Sequence, residues 1–242
     1  KAPGTYQHSL NVAKLGEPAA EAIGANYLLV RAGAYYHDIG KILKPKYYSE
    51  NQVTPEEKRI HNSISPNMSL LIVRNHVKEG IELAKKYGLP QKIIDFIPQH
   101  HGTSLIKYFY QRALQQYSES ESNVPVREED FRYLGPKPQS IEAAIVMLAD
   151  SVEATITSKL PRPYVSEEEI RRVVHETIVE KFNDGQLDEC PLTLRDLHII
   201  RESFISTLKS RPHFRVEYPP TSAQKELKKV IAEKPELTTS EL

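Results

Sequence analysis

Cysteine is almost absent from the sequence, which has one, Cys190, among 242 residues. A lone cysteine cannot form an intrachain disulfide and offers no thiolate cluster for a metal, so we expect a reducing, cytosolic setting. Long apolar runs are also missing. The longest nearly apolar stretch, Ala143 to Ala149, is far shorter than the ~20 residues that a membrane helix needs.

An excess of charge of either sign is absent too, because Lys and Arg total 32 and Asp and Glu also total 32. Such a chain has no overall field to attract a nucleic acid polymer or an anionic membrane surface. We therefore expect no DNA or RNA partner and no membrane contact by this chain itself. An anionic substrate has to be held by local groups.

The chain begins at Lys1, without a methionine, directly on a candidate motif. We therefore expect it to be an excised soluble portion of a longer protein, and the missing membrane span here does not exclude one in that parent. The sequence does not predict an oligomeric state.

Strand-like alternation is nearly absent and helical periods dominate, which predicts an all-α domain. Thr5, Asn26 and Ser65 are predicted to cap helices, and Pro18 to kink or divide the first one. Two polar stretches, 41–63 and 117–139, are predicted to be loops, the first with one short helical turn and the second exposed and partly mobile. The predicted helices cover residues 5–24, 26–38, 65–88, 90–102, 103–116, 140–160, 167–182 and 194–209.

A histidine and an aspartate lie side by side, as His37 and Asp38, in Ala34-Tyr-Tyr-His-Asp-Ile-Gly-Lys41. Imidazole nitrogen and carboxylate oxygen are both metal ligands, and the two oxygens of one carboxylate can contact two cations. Consecutive side chains on a helix diverge by roughly 100°. The pair therefore fits a helix end, which Gly40 is expected to supply.

Other candidate ligands have the same chemistry. His100 and His101 end a predicted helix as the first pair does. His8 and His76 lie on apolar helix faces, where a histidine taken alone is better explained as a core residue with a backbone partner. Asp150 lies in a helix that is apolar on nearly every face, where an ionised carboxylate costs several kcal/mol unless it is paired with an arginine or bound to a metal.

Together these donors are too many for one octahedral ion, and they suit two ions that share Asp38. Imidazole and carboxylate without thiolate favour Fe, Mn, Zn or Ni over Mg or Ca. The remaining histidines, His61, His175, His198 and His213, have no comparable setting and are predicted to be surface or packing residues. The seven proposed metal ligands are His8, His37, Asp38, His76, His100, His101 and Asp150.

The order of these donors resembles the HD-domain metal-dependent phosphohydrolases, over roughly residues 4–160. The smallest pattern of that superfamily needs His8, His37-Asp38 and Asp150 with one metal. The three further histidines resemble its dinuclear branch, which includes the HD-GYP phosphodiesterases of cyclic dinucleotides. No Gly-Tyr-Pro follows His101-Gly102 in this sequence, which therefore differs from the HD-GYP pattern. This difference argues against cyclic di-GMP as the substrate.

Three further stretches, 99–110, 131–139 and 143–153, resemble the cytosolic HD domain of the seven-transmembrane HD (PgpH-type) family, which are bacterial cyclic di-AMP phosphodiesterases. The resemblance implies an HD-domain helical bundle with additional C-terminal helices. Its metal-dependent core would cover 1–160, and a helical extension packed on the core would cover 161–218. A flexible tail would cover 219–242. The parent protein would be integral to the bacterial cell membrane.

The resemblance also implies a mechanism. One metal, Fe or Mn, would be held by His8, His37, Asp38 and Asp150, and a second by Asp38, His76, His100 and His101. A hydroxide activated by the two metals would attack phosphorus in line and expel the ribose 3′ oxygen. Cyclic di-AMP would be linearised to pApA, which terminates second-messenger signalling.

Asp38 and Lys41 are the expected catalytic residues, with Lys41 steadying charge on the phosphate. Ser104, Lys107, Tyr108 and Tyr110 follow the second histidine pair and are expected to line the nucleotide pocket together with Lys41. Three alternatives stay open at this point: a cyclic di-GMP phosphodiesterase, a mononuclear HD nucleotidase and a non-catalytic nucleotide sensor.

Overall fold

A computed structural model describes residues 1–119, 125–159 and 166–210. Over these ranges the chain is helical, and its β-structure is an isolated bridge between Leu105 and Arg132. The predicted all-α class is therefore confirmed. The α-helices are α1 (Pro3–Ala22), α2 (Tyr27–Tyr36), α3 (Pro66–Lys86), α4 (Gln91–Ile94), α5 (Phe96–Gln99), α6 (Lys107–Glu119), α7 (Ile141–Lys159), α8 (Glu167–Asn183) and α9 (Leu194–Lys209).

Helix α7 is the centre of the main core, and its residues from Ala143 to Ala149 are all buried. Helices α1, α2 and α8 pack around it, and α9 packs on α1 and α8. Ile170 of α8 and Phe204 of α9 belong to the same apolar cluster as the buried residues of α7. The helices after residue 160 therefore share one core with the helices before it. Of the segments predicted here, 219–242 lies outside the described residues.

Helix α1 differs from its prediction at Thr5 and at Pro18. It begins at Pro3 with Ala2 as its cap, so the prediction that Thr5 is the cap is wrong. A proline is well suited to the first turn of a helix, because its missing N–H would have no partner there. Thr5 lies inside that turn and donates a hydrogen bond from Oγ1 to Glu50 Oε1 over 3.1 Å. The helix also continues through Pro18 without being divided.

Two other caps are as predicted. The side chain of Asn26 accepts a hydrogen bond from the backbone N–H of Leu29 at the start of α2. The hydroxyl of Ser65 accepts one from the N–H of Met68 at the start of α3.

Gly40 has a different role from the one predicted. Helix α2 ends at Tyr36, and Gly40 lies in the 3₁₀ helix Ile39–Leu43 that follows Asp38. A Cβ at position 40 would overlap the carbonyl oxygen of His76 in α3 and would lie 2.6 Å from the backbone nitrogen of Gly80. The glycine is needed because two backbones touch, and the prediction that it ends the helix is wrong.

The connecting segments are more ordered than predicted. The stretch after Asp38 contains four 3₁₀ helices, Ile39–Leu43, Pro45–Tyr47, Ser49–Asn51 and Glu57–Ser63. Residues 103–106, predicted to be helical, instead form a turn and the bridge to Arg132. Phe131, predicted to lie in an exposed connection, is buried with Leu70 and Phe109 in a second small core. None of the helices in the described ranges is both long and apolar enough to cross a membrane.

Candidate metal centre

The side chain of Asp38 lies at the centre of a cluster of histidines. Its Oδ1 atom is 3.4 Å from Nε2 of His76 and 3.5 Å from Nε2 of His100. Its Oδ2 atom is 3.2 Å from Nε2 of His37 and 3.6 Å from Nε2 of His8. The two oxygens of one carboxylate therefore face two different sets of imidazole nitrogens.

Five elements of the fold bring these donors together, although they are separated by more than one hundred positions in sequence. Three overlapping groups have ligand atoms within 4.8 Å of one another: Asp38, His76, His100 and His101; His8, His37 and Asp38; and His37, His100 and Asp150. All seven sequence-predicted ligands are in these groups. Helices α1, α3 and α7 supply His8, His76 and Asp150, and the residues directly after α2 and α5 supply the two adjacent pairs.

Three of the rings are held in one orientation by their own backbone. Nδ1 of His37 donates to the carbonyl oxygen of Ala34, and Nδ1 of His100 donates to that of Ile97, each over 2.7 Å. Nδ1 of His76 donates to the carbonyl oxygen three residues before it in the same way. A ring whose Nδ1 carries the proton presents a lone pair at Nε2, which is the atom that faces Asp38.

Three rings of the cluster, those of His76, His100 and His101, are kept neutral by burial. Burial lowers the pKa of His76 to about 3 and also lowers the pKa values of His100 and His101. Desolvation disfavours the imidazolium, and the nearby charge of Asp38 does not compensate for it. A neutral imidazole is the form that binds a metal, so burial prepares these side chains for that role.

His8 has a different environment because it lies between carboxylates. Nδ1 of His8 is 2.7 Å from Oε2 of Glu153, and Nε2 is 2.9 Å from Oδ1 of Asp150. Burial alone would lower the pKa of His8, but the hydrogen bonds to Asp150 and Glu153 outweigh burial and raise the pKa to about 10. Glu153 also accepts a hydrogen bond from Nδ2 of Asn11 over 2.9 Å. It is thus the partner that orients His8.

Nε2 of His37 and Oδ1 of Asp38 are among the buried atoms that have no hydrogen-bond partner in the described residues. A buried polar atom without a partner costs free energy, so such atoms point to a missing ligand. Nitrogen and oxygen donors without thiolate, arranged around one shared carboxylate, fit divalent cations. The cluster is suited to divalent metal binding.

Lys41 lies against this carboxylate. Its Nζ atom is 2.7 Å from Oδ2 of Asp38 and 3.1 Å from Oε1 of Glu50. Burial by itself lowers the pKa of Lys41, but the charges of Asp38 and Glu50 outweigh that effect and raise it well above the ordinary value. The ammonium also lies over the ring of Tyr48, 5.2 Å from its centroid. A fixed positive charge is therefore present beside the donors.

The four residues predicted to line a nucleotide pocket have different surroundings. Ser104 is buried, and its Oγ atom accepts a hydrogen bond from Nζ of Lys181 over 2.7 Å. Lys107 forms an exposed ion pair with a residue of α8. The ring of Tyr108 is exposed, whereas Tyr110 packs against Phe131 in the second core. Packing accounts for Tyr110.

Three of the remaining histidines have packing or surface positions. Nε2 of His61 donates to the carbonyl oxygen of Tyr47 over 2.7 Å, and its ring lies 5.1 Å from that of Phe109. His175 and His198 are exposed, and His213 lies outside the described residues.

The sequence interpretation missed three residues at this site, Glu153, Tyr133 and Lys181. The ring of Tyr133 stacks on that of His101, with centroids 4.0 Å apart and planes inclined by 20°. Burial raises the pKa of Tyr133, so its hydroxyl keeps its proton. For Glu153 a signal was present, because it is a second carboxylate on the apolar helix, three residues after Asp150.

The cluster is open on one side. Among its seven ligands, His8 and Asp150 each have side chains that are 10% exposed, and the side chain of His101 is 20% exposed. The other four are exposed by 1% or less. The side chains of His8, Asp150 and His101 form the most exposed edge of the cluster, which we refer to as the open edge.

Comparison with known proteins identifies the family. The HD domain family model matches residues 5–155. The chain is 46% identical over 218 residues to the cyclic-di-AMP phosphodiesterase PgpH of Bacillus subtilis, a match that covers 90% of this chain and 29% of that protein. A weaker match, 31% identical over 98 residues and 40% of this chain, is to ribonuclease Y of Acholeplasma laidlawii, of which it covers 14%.

Solved structures match over nearly their whole length. A crystal structure of the HD domain of Listeria monocytogenes phosphodiesterase PgpH is 44% identical, with a TM-score of 0.78, and the match covers 86% of this chain and 93% of that one. A second crystal structure of that domain, in complex with cyclic-di-AMP, is 45% identical with a TM-score of 0.78, and the match covers 86% of this chain and 92% of that one. The helical arrangement is therefore shared with these domains.

Proposed function

The chain belongs to the HD domain family, and on that premise we propose that it is a metal-dependent phosphodiesterase that hydrolyses cyclic di-AMP to linear pApA. The observation that carries the proposal is the position of Asp38, whose two oxygens face separate sets of histidines. A one-metal site of the smallest HD pattern would not need the second set. Likeness to an HD domain solved with cyclic-di-AMP supports the choice of substrate.

We propose two divalent transition-metal ions, with iron or manganese favoured. His8, His37, Asp38 and Asp150 would hold one, and Asp38, His76, His100 and His101 would hold the other. When bound, two such ions supply a water activated near neutral pH and neutralise the oxygens of a phosphodiester.

The protein's own groups prepare the site for this chemistry. The backbone bonds to Nδ1 fix the rings of His37, His76 and His100, so no rotamer freedom is lost when a cation binds. Lys41 donates to Asp38 and keeps that carboxylate ionised and in place. The same ammonium is the nearest fixed cation to the shared carboxylate, and we assign it the role of countering negative charge on the phosphate.

We assign Tyr133 and the open edge a role in setting the direction from which the substrate approaches the proposed metal ligands. Stacking of Tyr133 on His101 keeps the exposed ring of that histidine from turning away. The phosphate is expected to enter at the open edge, where the proposed ligands are most exposed. A cyclic dinucleotide is small enough to be held there by local groups, which a chain without net charge requires.

The extent of the match bears on the longer protein to which we propose the chain belongs. The chain spans 29% of the length of the Bacillus subtilis relative. We propose that it is the cytosolic HD domain of a longer bacterial membrane protein. In that setting, hydrolysis of cyclic di-AMP would terminate a second-messenger signal.

The test is an incubation of the metal-loaded protein with cyclic di-AMP, cyclic di-GMP, linear pApA and single-stranded RNA, followed by identification of products by mass. We expect cyclic di-AMP to give pApA, cyclic di-GMP to react more slowly, and RNA to stay intact. A chelator should stop the reaction. Binding of cyclic di-AMP without product would indicate a sensor, and cleavage of RNA would favour an activity like that of the weaker match, ribonuclease Y. Either result would overturn the proposal.

A further inference from the structure

Lys181 of α8 reaches the turn that follows the second histidine pair, although it lies outside the residues that the family model matches. Its Nζ atom donates a hydrogen bond to Oγ of Ser104 over 2.7 Å. Ser104 is buried, and Lys181 is partly buried. A hydroxyl carries no charge, so this bond leaves the positive charge of the ammonium unbalanced.

No carboxylate among the described residues forms an ion pair with Lys181. Three acidic side chains lie within electrostatic reach of it, and each is paired with another base. The pairs are Glu180 with Lys107 at 2.8 Å, Asp184 with Arg132 at 2.8 Å, and Asp150 with His8 at 2.9 Å. A partly buried ammonium without a counter-ion is costly, so an anion from solution would stabilise it.

The position of this ammonium is next to the open edge. The N–H of Ser104 donates to the carbonyl oxygen of His101 over 3.1 Å, which ties the hydroxyl to that histidine. Burial lowers the pKa of Lys181, and the charge of Asp150 is the strongest effect that opposes it. Lys181 is therefore linked through Ser104 to His101 of the open edge.

We propose that Lys181 and Ser104 form an anion subsite for the second phosphate of a cyclic dinucleotide, the one that is not being cleaved. The inference rests on the proposed function. A cyclic dinucleotide carries two phosphodiesters, and only one can lie at the metal ligands at a time. The other needs a compensating charge and hydrogen-bond donors, which an ammonium and a hydroxyl supply. The subsite would give the helices after residue 160 a part in substrate selection.

The experiment compares two substrates in wild-type protein and in Lys181→Met, which keeps the apolar stem and removes the charge. For cyclic di-AMP we expect KM, and Kd of the chelator-treated protein for cyclic di-AMP, to rise by about tenfold to a hundredfold. For bis(p-nitrophenyl) phosphate, which has a single phosphodiester, we expect KM to stay unchanged. Metal content should also stay unchanged.

Two control variants distinguish an effect of the lost charge from an effect on folding. Lys181→Arg retains a cation, and its KM should stay within a few-fold of wild type. Arg172→Gln removes one positive charge from the same helix at a side chain that is 60% exposed, and it should alter neither substrate's KM. If Lys181→Met does not fold, as judged by its melting temperature, Ser104→Ala should raise KM for cyclic di-AMP alone by several-fold.

The outcomes are distinct. An unchanged KM for cyclic di-AMP, or an equal rise for both substrates, would overturn the subsite while leaving the phosphodiesterase assignment intact. A wild-type protein that neither binds nor hydrolyses cyclic di-AMP would overturn the proposed function, and the subsite with it.

Discussion

Gly40 and His76 touch through their backbones, and a Cβ on Gly40 would overlap the carbonyl oxygen of His76. Through this contact the 3₁₀ helix that follows Asp38 packs against helix α3. It also brings Oδ1 of Asp38 to 3.4 Å from Nε2 of His76. The backbone contact of Gly40 therefore helps to set the distance between Asp38 and His76.

We predict that Gly40→Ala pushes the two backbones apart. Overpacking of this kind lowers the free energy of unfolding by about 1–3 kcal/mol, and displacement of Asp38 should lower metal content as well. Unfolding by denaturant and elemental analysis measure the two effects. Gly24→Ala is the matched control, since it places a Cβ in open space at a positive φ of 74°. The Gly24→Ala variant should lose stability but keep its metal. Full metal content in Gly40→Ala would show that the contact between Gly40 and His76 does not affect metal binding.

A second prediction concerns the shared carboxylate. Asp38→Ala removes both oxygens that face the histidines and leaves the charge of Lys41 with Glu50 alone. We expect turnover to be abolished and metal occupancy to fall, and His37→Ala should behave in the same direction. Product formation and metal content are measured on the same preparations. Full activity in either variant would contradict the ligand assignment.

A third prediction concerns the orientation of His8. Glu153→Gln replaces the carboxylate that lies 2.7 Å from Nδ1 of His8. Loss of such a partner typically lowers metal affinity by 10–100-fold. We expect activity at limiting metal to fall and activity at saturating metal to recover. Metal titration of activity tests this, with Glu176→Gln, an exposed carboxylate of α8, as the control. Loss that excess metal does not restore would assign Glu153 another role.

Most of the seven proposed metal ligands could be picked out in the sequence because their chemistry is local. His37-Asp38 and His100-His101 are adjacent pairs, and Asp150 is a charge in an apolar helix, so each can be noticed without knowing the fold. Helix bounds were likewise predicted where a cap was present, as at Asn26.

The residues that support the ligands could not be predicted in this way. Lys181 meets Ser104 across 77 positions, and Glu153 meets His8 across 145. Such contacts depend on how helices pack, and no local pattern encodes them. The same holds for Gly40, where a helix-ending glycine and a glycine at a close backbone contact look alike in sequence.

The most direct test of the two-cation arrangement is the metal content per chain after reconstitution with excess iron or manganese and removal of unbound ions. The arrangement of Asp38 between two sets of histidines predicts two equivalents of metal per chain. Both equivalents should be lost together when Asp38 is replaced by alanine. A saturating value of one equivalent per wild-type chain would contradict it.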